Sequence, residues 1–288
     1  MDEYNLNNNN VDDPNDKPDK VDFKQIAKDI DSASIIISAC RRSGKTYLCR
    51  EIMRDMCSVY KPDLVVLFSE TADFNPDFEY ISPFYKFNKL DEEKLQYFIK
   101  AQEELMLKFR REEKEKKKKK IKFEKRPFKI SIIFDDVAHD RKSYYSEAIS
   151  KLFILGRHIK ICPLIFLTQH LTAISPKMRN NADVIITFKD PSWYNRKLIQ
   201  EQFMTLSSVD RKYPQVYMDK CLGEEYRAMV VKVYNIQKSH KLSDFIGWYK
   251  AKEKIPDFKL GLKQYWDKKT QDSKKKHLDM PIDSLKFS

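Results

Sequence analysis

The chain has 288 residues, 41% of them hydrophobic, and a formal net charge of +12, which suits one α/β domain of roughly 200 to 250 residues with tails rather than two ordinary domains. No apolar stretch approaches the roughly 18 to 20 residues that cross a bilayer, so we expect no membrane insertion. The positive charge is compatible with a polyanionic partner and does not identify one.

The two ends of the chain differ from its middle in composition. Residues 1–20 are rich in Asn, Asp and Pro, and we expect a disordered N-terminal tail because they offer too little apolar surface to offset the entropy of ordering. Residues 251–288 are polar and basic and predict a C-terminal tail. Residues 21–250 are therefore the predicted folded domain. Its cysteines lack metal-ligand spacing and are expected to be free thiols; they are Cys40, Cys49, Cys57, Cys162 and Cys221.

The first predicted elements are a strand over Ser34 to Ser38 and a helix over Tyr47 to Val59. The loop between them approximates the phosphate-binding pattern G-x-x-x-x-G-K-[ST]. It reads Ala39-Cys40-Arg41-Arg42-Ser43-Gly44-Lys45-Thr46. We expect this loop to surround the phosphates of ATP, with Lys45 on the β and γ oxygens and the Thr46 hydroxyl on Mg²⁺. Ala39 replaces the first glycine of the pattern, which predicts a negative φ there.

A second strand is predicted over Leu64 to Phe68, followed by a Lys-rich helical insertion over about 91–127. Within it, Lys108 to Arg126 hold 12 Lys or Arg against 4 Glu, a net charge of 12 − 4 = +8. Two interpretations stay open for this segment. It is either a solvated arm or an element that contacts DNA.

A third strand, Ile130 to Phe134, runs into two carboxylates. We expect Asp135 to hold Mg²⁺ and Asp136 to act as the base that polarises the attacking water. A fourth strand, over Leu164 to Leu167, leads to Gln169, which is placed to sense the γ-phosphate. Two acids and a glutamine that merely end strands are the alternative.

The remaining predicted elements continue the alternation of strand and helix. Helices are expected over Tyr144 to Leu155, Ser192 to Phe203 and Val209 to Cys221, and strands over Val184 to Phe188 and Ala228 to Val233. Alternation of this kind predicts an α/β fold with a mainly parallel central sheet covered on both faces. With the phosphate loop, this alternation predicts the three-layer sandwich of a P-loop NTPase, RecA-like with an additional central strand. We take the strand over Leu64 to Phe68, which lies between the two motif strands in sequence, as that extra strand.

With these motifs in place, the chain resembles the genome-packaging ATPases of large eukaryotic DNA viruses, of the poxvirus and mimivirus type, a branch of the FtsK/HerA superfamily. The resemblance rests on motifs that agree in order and spacing. They are the phosphate loop, Phe134-Asp135-Asp136, Gly156-Arg157-His158, Leu167-Thr168-Gln169, and the stretch from Pro176 to Asp183.

The resemblance implies an ATP-hydrolysing ring, hexameric, that drives double-stranded DNA into a preformed capsid and docks on a capsid or portal-type protein. It also implies a site completed by an arginine of the neighbouring subunit, for which Arg157 and Arg179 are candidates, each with an ordinary structural role as the alternative. The expected location is the host cytoplasm, in the viral factory, or the virion. A helicase or repair ATPase of the same fold and a nucleotide-binding scaffold without turnover remain as alternatives; Asp136 in place of the usual Glu, and Ala39, motivate the second.

Overall fold

A computed structural model describes residues 17–137, 146–204, 213–239 and 241–267 of the chain. Parts of four predicted elements lie outside these residues: the N-terminal tail up to residue 16, the start of the helix predicted from Tyr144, the start of the helix predicted from Val209, and the C-terminal tail after residue 267.

The described residues form one sheet of eight strands in the order β3-β2-β4-β5-β1-β6-β7-β8. The strands are β1 (Ser34–Ser38), β2 (Leu64–Ser69), β3 (Lys86–Phe87), β4 (Ile130–Asp135), β5 (Ile161–Thr168), β6 (Val184–Thr187), β7 (Arg227–Lys232) and β8 (Ile246–Lys250). From β3 to β6 every pair is parallel, while β7 and β8 are antiparallel to their neighbours. The predicted mainly parallel sheet is confirmed.

Helices cover both faces of the sheet. They are α1 (Phe23–Asp29), α2 (Lys45–Tyr60), α3 (Glu92–Lys118), α4 (Glu147–Leu155), α5 (Pro176–Asn180), α6 (Trp193–Phe203), α7 (Tyr213–Cys221) and α8 (Leu242–Phe245). Successive strand residues point to opposite faces, so in β1 Ile36 joins the core under α3, α4, α6 and α7, whereas Ile35 and Ile37 join the core under α1 and α2. The α/β three-layer sandwich predicted from the alternation of elements is confirmed.

The additional central strand is β5, and not the strand predicted over Leu64 to Phe68, which is β2. In sequence β2 lies between the strands that carry Lys45 and Asp135, but in space it pairs with the far side of β4. The strand that stands between β1 and β4 is β5. Gln169, which directly follows β5, therefore lies between the phosphate loop and the paired carboxylates.

The packed domain is longer than the predicted 21–250 at both ends. At the start, the Trp248 N–H donates to Asp19 O (2.9 Å) and its indole N–H donates to Pro18 O (3.0 Å). Near the end, the ring of Phe258 stacks on Tyr80 with centroids 4.9 Å apart, and Tyr265 is buried. Residues before the predicted start and after the predicted end thus also belong to the fold.

No helix within the described residues combines the length and the apolar character that spanning a membrane requires.

Candidate nucleotide-binding site

The loop over residues 39–46 connects the end of β1 to the start of α2. Ala39 is buried, and its N–H donates to Thr168 O (3.0 Å), which continues the pairing of β1 with β5. The positive φ angles in this loop belong instead to Arg42 (63°) and Gly44 (85°). A residue that extends a strand needs no left-handed backbone, which explains why alanine fits where the pattern has glycine.

Gly44 caps α2, a 16-residue helix whose first N–H groups face the loop. A helix N-terminus favours anions, because its N–H groups lack intrahelical partners and the helix dipole is positive there. The ring of Tyr226, from the turn before β7, lies 3.4 Å from the position that a Cβ atom at Gly44 would occupy. Tyr226 therefore borders the loop, a contact that no sequence motif predicts.

Lys45 joins the loop to the carboxylates at the end of β4. Its Nζ lies 2.7 Å from Asp136 Oδ1 and 3.6 Å from Asp135 Oδ1. On the other side, Gln169 Nε2 donates to Asp136 Oδ2 (3.3 Å). Three loops that follow three adjacent strands thus bring these four predicted residues together. Their individual catalytic roles stay predictions.

Asp136 adopts an unusual backbone conformation, with φ at +47°. Aspartate tolerates the left-handed region better than most residues do, and such conformations cluster at functional sites. The turn directs the carboxylate of Asp136 toward Lys45 while leaving its side chain 34% exposed. Asp135, by contrast, ends the strand and is buried.

Burial raises the pKa of Asp135, and the nearby Lys45 ammonium opposes that increase. Ser69, at the end of β2, donates a hydrogen bond to Asp135 Oδ2 (3.1 Å). The other oxygen, Oδ1, is buried and accepts no hydrogen bond among the described residues, although Lys45 Nζ lies 3.6 Å from it. Ser69 was not predicted, although it is the polar residue that follows the apolar run of β2, the same signal that identified Gln169.

The orphaned oxygen of Asp135 is a test of whether the site fits Mg²⁺. A buried carboxylate oxygen without a donor is unusual in proteins and suits a cation or a water bound to a cation. Thr46 lies half-buried in the first turn of α2 and supplies the hydroxyl oxygen that the pattern requires. The residues present therefore fit the metal, with Thr46 and Asp135 as the residues that would hold it.

The other residues of the loop differ in exposure. Ser43 has a buried hydroxyl that lacks a partner within the described residues, which suits a phosphate oxygen. Cys40 is half-buried, and burial together with the carboxylate of Asp190 raises the pKa of its thiol. Arg41 and Arg42 are exposed. Asp190, after β6, is a further neighbour of the loop that the sequence did not reveal.

The two arginines that were candidates to complete a neighbouring site differ in their surroundings. Arg179 is buried, and it donates to Gln202 Oε1 (3.0 Å) and to the carbonyl oxygen of Ile174. Arg157 is exposed in the turn before β5, so it lies at the edge where the parallel strands begin. Neither arginine contacts the phosphate loop of its own chain among the contacts of the described residues.

Two of the motifs that carried the resemblance meet at that opposite edge. Arg157 and the segment 180–183 line one pocket, together with Ser32 and Ser34 beside the start of β1. Within the pocket, Ser34 donates to Asp183 through both its N–H (2.8 Å) and its hydroxyl (2.7 Å). These motifs therefore serve a different edge of the sheet from the phosphate loop.

Solved structures share this architecture. The pCW3 conjugation coupling protein TcpA, solved as a monomer with ATPγS, aligns with a TM-score of 0.51 at 16% identity, over 85% of this chain and 65% of that chain. This likeness shows a common fold. B204, the DNA-packaging ATPase of Sulfolobus Turreted Icosahedral Virus, aligns with a TM-score of 0.46 at 19% identity, over 77% of this chain and 98% of that chain.

Sequence comparison leads to viral proteins. The uncharacterized protein 075L of Invertebrate iridescent virus 6 is 25% identical over 240 residues, which are 82% of this chain and 84% of that protein. The family described as Poxvirus A32 protein matches residues 22–192, more than half of the chain. This match spans α1 to the loop after β6, includes all the motif residues named above, and confirms the predicted resemblance to viral genome-packaging ATPases. The chain belongs to the Poxvirus A32 protein family.

Proposed function

We propose that the chain is an ATP-hydrolysing motor that translocates double-stranded DNA into a viral capsid. The observation that carries this proposal is the convergence of Lys45, Asp135, Asp136 and Gln169 at one edge of the sheet. Membership in the Poxvirus A32 protein family supports it. Each of the four residues has a polar group suited to a step of phosphoryl transfer.

The chemistry follows from the geometry of the chain's own groups. A bound triphosphate would compete with Asp136 for the ammonium of Lys45, because phosphate oxygens and the carboxylate both attract it. Release of Asp136 from this ion pair leaves its carboxylate available to accept a proton from the attacking water. Gln169, which donates to the same carboxylate, would orient that water. Thr46 and Asp135 would hold Mg²⁺, which when bound neutralises charge on the phosphates.

The proposed assembly is a hexameric ring in which the neighbouring subunit completes each site. Arg157 is the better candidate for the completing arginine, because its side chain is exposed whereas Arg179 is engaged by its own subunit. The proposed partners are duplex DNA and a capsid or portal-type protein. The proposed place of action is the viral factory in the host cytoplasm, or the virion.

The decisive experiment measures ATP hydrolysis with and without duplex DNA, in the assembled protein. We expect DNA to raise the rate and Lys45→Ala to abolish it, because no other described lysine lies between the loop and the paired carboxylates. Lys28→Ala, which removes an exposed lysine from α1, is the matched control and should hydrolyse ATP at the wild-type rate. A rate in the assembled ring that is indifferent to DNA would contradict the motor.

A nucleotide-binding scaffold is the second candidate, favoured by one observation. Asp136 stands where many such enzymes have glutamate, and its carboxylate is held by Lys45 at 2.7 Å. Single-turnover hydrolysis distinguishes the two functions: the motor requires a chemical step that Asp136→Asn slows by about 10² or more while nucleotide still binds. No measurable turnover in the wild type would favour the scaffold, and strand separation in an unwinding assay would favour a helicase.

A further inference from the structure

The helical repeat of α3 places several basic residues of the Lys-rich segment on one side of the helix. Positions i, i+1, i+4, i+7 and i+8 share one side of a helix. Counted from residue 110, these five positions are all basic and all exposed; they are Arg110, Arg111, Lys114, Lys117 and Lys118, the basic face of α3. The intervening acidic residues, Glu112, Glu113 and Glu115, lie outside this face.

The return segment 121–126 packs against a different side of the same helix. The ring of Phe123 contacts Phe109 with centroids 5.2 Å apart, and Lys125 pairs with Glu112 at 3.1 Å. These contacts cover the side of the helix that carries the glutamate. They leave the side chains of the basic face exposed.

The basic face lies beyond the body of the domain. A helix of 27 residues is about 40 Å long, whereas a six-residue strand is about 20 Å. Arg110 donates to His158 O (3.0 Å), in the turn between α4 and β5, at the edge of the sheet opposite the phosphate loop. The turns after Arg110 therefore project past that edge by about 12 Å.

The projecting end of α3 has a defined stop. Ile121 N donates to Lys116 O (2.9 Å) and Lys120 N donates to Lys117 O (3.1 Å), while Lys120 adopts a φ of +56°. This pair of bonds is a Schellman motif, which satisfies the last carbonyl groups of a helix. The C-terminal end of α3 is thus capped, so the five cations keep regular helical spacing.

The charge of the basic face is not neutralised locally. The ion pairs recorded for the tip, Lys122 with Glu124 and Lys125 with Glu112, belong to the return segment. Arg111, Lys114, Lys117 and Lys118 form no ion pair with any residue that the structure describes. Five cations within about 12 Å repel one another and favour a dense linear polyanion. Duplex DNA, with about one negative charge per 1.7 Å of axis, is such a polyanion.

We propose that the basic face of α3 binds the sugar-phosphate backbone of duplex DNA. A membrane surface fits less well, because helices that lie on membranes present an apolar face beside their basic one, and from Arg110 to Lys118 every position of this face is basic. The proposal deepens the proposed function, on which it rests for the identity of the polyanion. It predicts binding without base specificity, since phosphate contacts carry no sequence information.

Two variants with the same loss of charge test the proposal. The first carries Arg111→Gln, Lys114→Gln, Lys117→Gln and Lys118→Gln in the basic face. The second, the control, carries Lys108→Gln, Lys116→Gln, Lys119→Gln and Lys122→Gln, outside that face on the same arm. Each lowers the formal charge by four, and glutamine preserves helix propensity. Circular dichroism and thermal melting would verify that both fold like the wild type.

The readout is the affinity for duplex DNA as a function of salt concentration. Each phosphate contact contributes about −0.9 to the slope of log K against log salt. We therefore expect the slope of the basic-face variant to shrink by about 2 to 4, and that of the control by less than about 1. Basal ATP hydrolysis should be unchanged in both variants, because the nucleotide site lies at the other edge of the sheet.

The possible outcomes separate this proposal from the proposed function. Equal losses in both variants would show that net charge alone matters and would overturn the assignment to the basic face. An unchanged slope in both variants would overturn it as well. So would a basic-face variant that keeps its DNA affinity but no longer binds vesicles containing phosphatidylserine. A wild-type chain that hydrolyses ATP but does not bind duplex DNA would instead contradict the proposed function itself.

Discussion

Asp135 lies in surroundings that, on balance, disfavour its ionised form. Burial raises its pKa, and Lys45 and Ser69 lower it only in part. A carboxyl whose folded pKa exceeds its ordinary value stabilises the fold below that ordinary value, and this contribution is lost as the pH rises through the folded pKa. In the absence of nucleotide, ionisation of Asp135 therefore weakens the fold.

Asp135→Asn should consequently stabilise the nucleotide-free protein at neutral pH. Lys45 keeps Asp136 as a partner at 2.7 Å, so the substitution does not leave a buried ammonium alone. The advantage of the variant should grow as the pH rises above about 4, the ordinary pKa of an aspartate. Thermal unfolding of both proteins across this range would measure it. Asp136→Asn, which alters a side chain that is 34% exposed, is the control; a pH-independent difference for Asp135→Asn would refute the argument.

At Gly44 the backbone conformation, and not a lack of space, disfavours a side chain. A Cβ atom there would lie at ordinary contact distance, 3.4 Å, from the ring of Tyr226. The φ of +85°, however, costs a residue with a Cβ about 1–2 kcal/mol. We expect Gly44→Ala to lower stability by that amount and to weaken nucleotide binding. Adding Tyr226→Ala should not restore stability, and a rescue, measured by denaturant unfolding, would show that crowding is the cause.

The sequence was sufficient to find Lys45, Asp135, Asp136 and Gln169, because each belongs to a short pattern next to an apolar strand. Tyr226 could not be found in the same way. It approaches Gly44 only because β7 runs antiparallel to β6, which brings the start of a distant strand to the nucleotide edge. Pairing over that sequence distance leaves no local signal.

At the scale of elements, α3 and α4 are joined at their first turns by a shared cap. Ser146 accepts from Ile149 N (3.1 Å) as the N-cap of α4, and its hydroxyl donates to Glu92 (2.8 Å to Oε2) in the first turn of α3. Glu92 also accepts from Ala148 N at 3.4 Å. The Glu92 carboxylate, in the first turn of α3, thus accepts hydrogen bonds from donors at the start of α4.

Loss of this cap should lower the free energy of unfolding. We expect Ser146→Ala to cost about 0.5–2 kcal/mol, the usual value for an N-cap, and Glu92→Ala a similar amount. Because the two residues share hydrogen bonds, the double variant should cost less than the sum of the single ones. Urea unfolding of the four proteins gives the coupling. Glu93→Ala, at the exposed neighbouring position, is the control, and strict additivity would contradict a shared cap.

The predicted elements agree with the structure where a segment is both apolar and long enough to give a clear pattern. β1, β2 and β4 are continuous apolar runs that are buried along their length, and such runs are typical of central parallel strands. β3, β8 and α1 were not predicted. β3 has two residues, α1 has seven, and β8 contains a glycine and an exposed lysine, so none offers the length or periodicity on which sequence patterns depend.

At the scale of the whole molecule, residues after β8 complete the core on the α2 side of the sheet. Glu51, fully buried in α2, accepts from Lys252 N (2.8 Å). Leu260 N donates to Tyr80 O (3.0 Å), and Leu262 N donates to Asp63 O (2.8 Å). These bonds draw the segment 251–267 across the domain, so it is a structural part of the domain rather than a tail.

A chain that ends at Lys250 should therefore be much less stable than one that ends at Asp267. The shorter chain lacks the buried side chains of Ile255 and Tyr265, and Glu51 loses the hydrogen bond that Lys252 N donates to it. Burial of a large apolar side chain is worth about 1.5–3 kcal/mol, so we expect the two chains to differ by about 4 kcal/mol or more in free energy of unfolding. Equal thermal midpoints would return the domain boundary to residue 250.

Asp63, the residue that precedes β2, links the return segment after α3 to the sheet. Its carboxylate accepts hydrogen bonds from both terminal guanidinium nitrogens of Arg126, at the end of the return segment; one of these bonds is 2.9 Å long. At its other end β2 finishes in Ser69, which donates to Asp135. A tensile force on the tip of α3 would thus be transmitted to β2, a strand about 20 Å long. The far end of β2 contacts Asp135, the carboxylate expected to hold the metal.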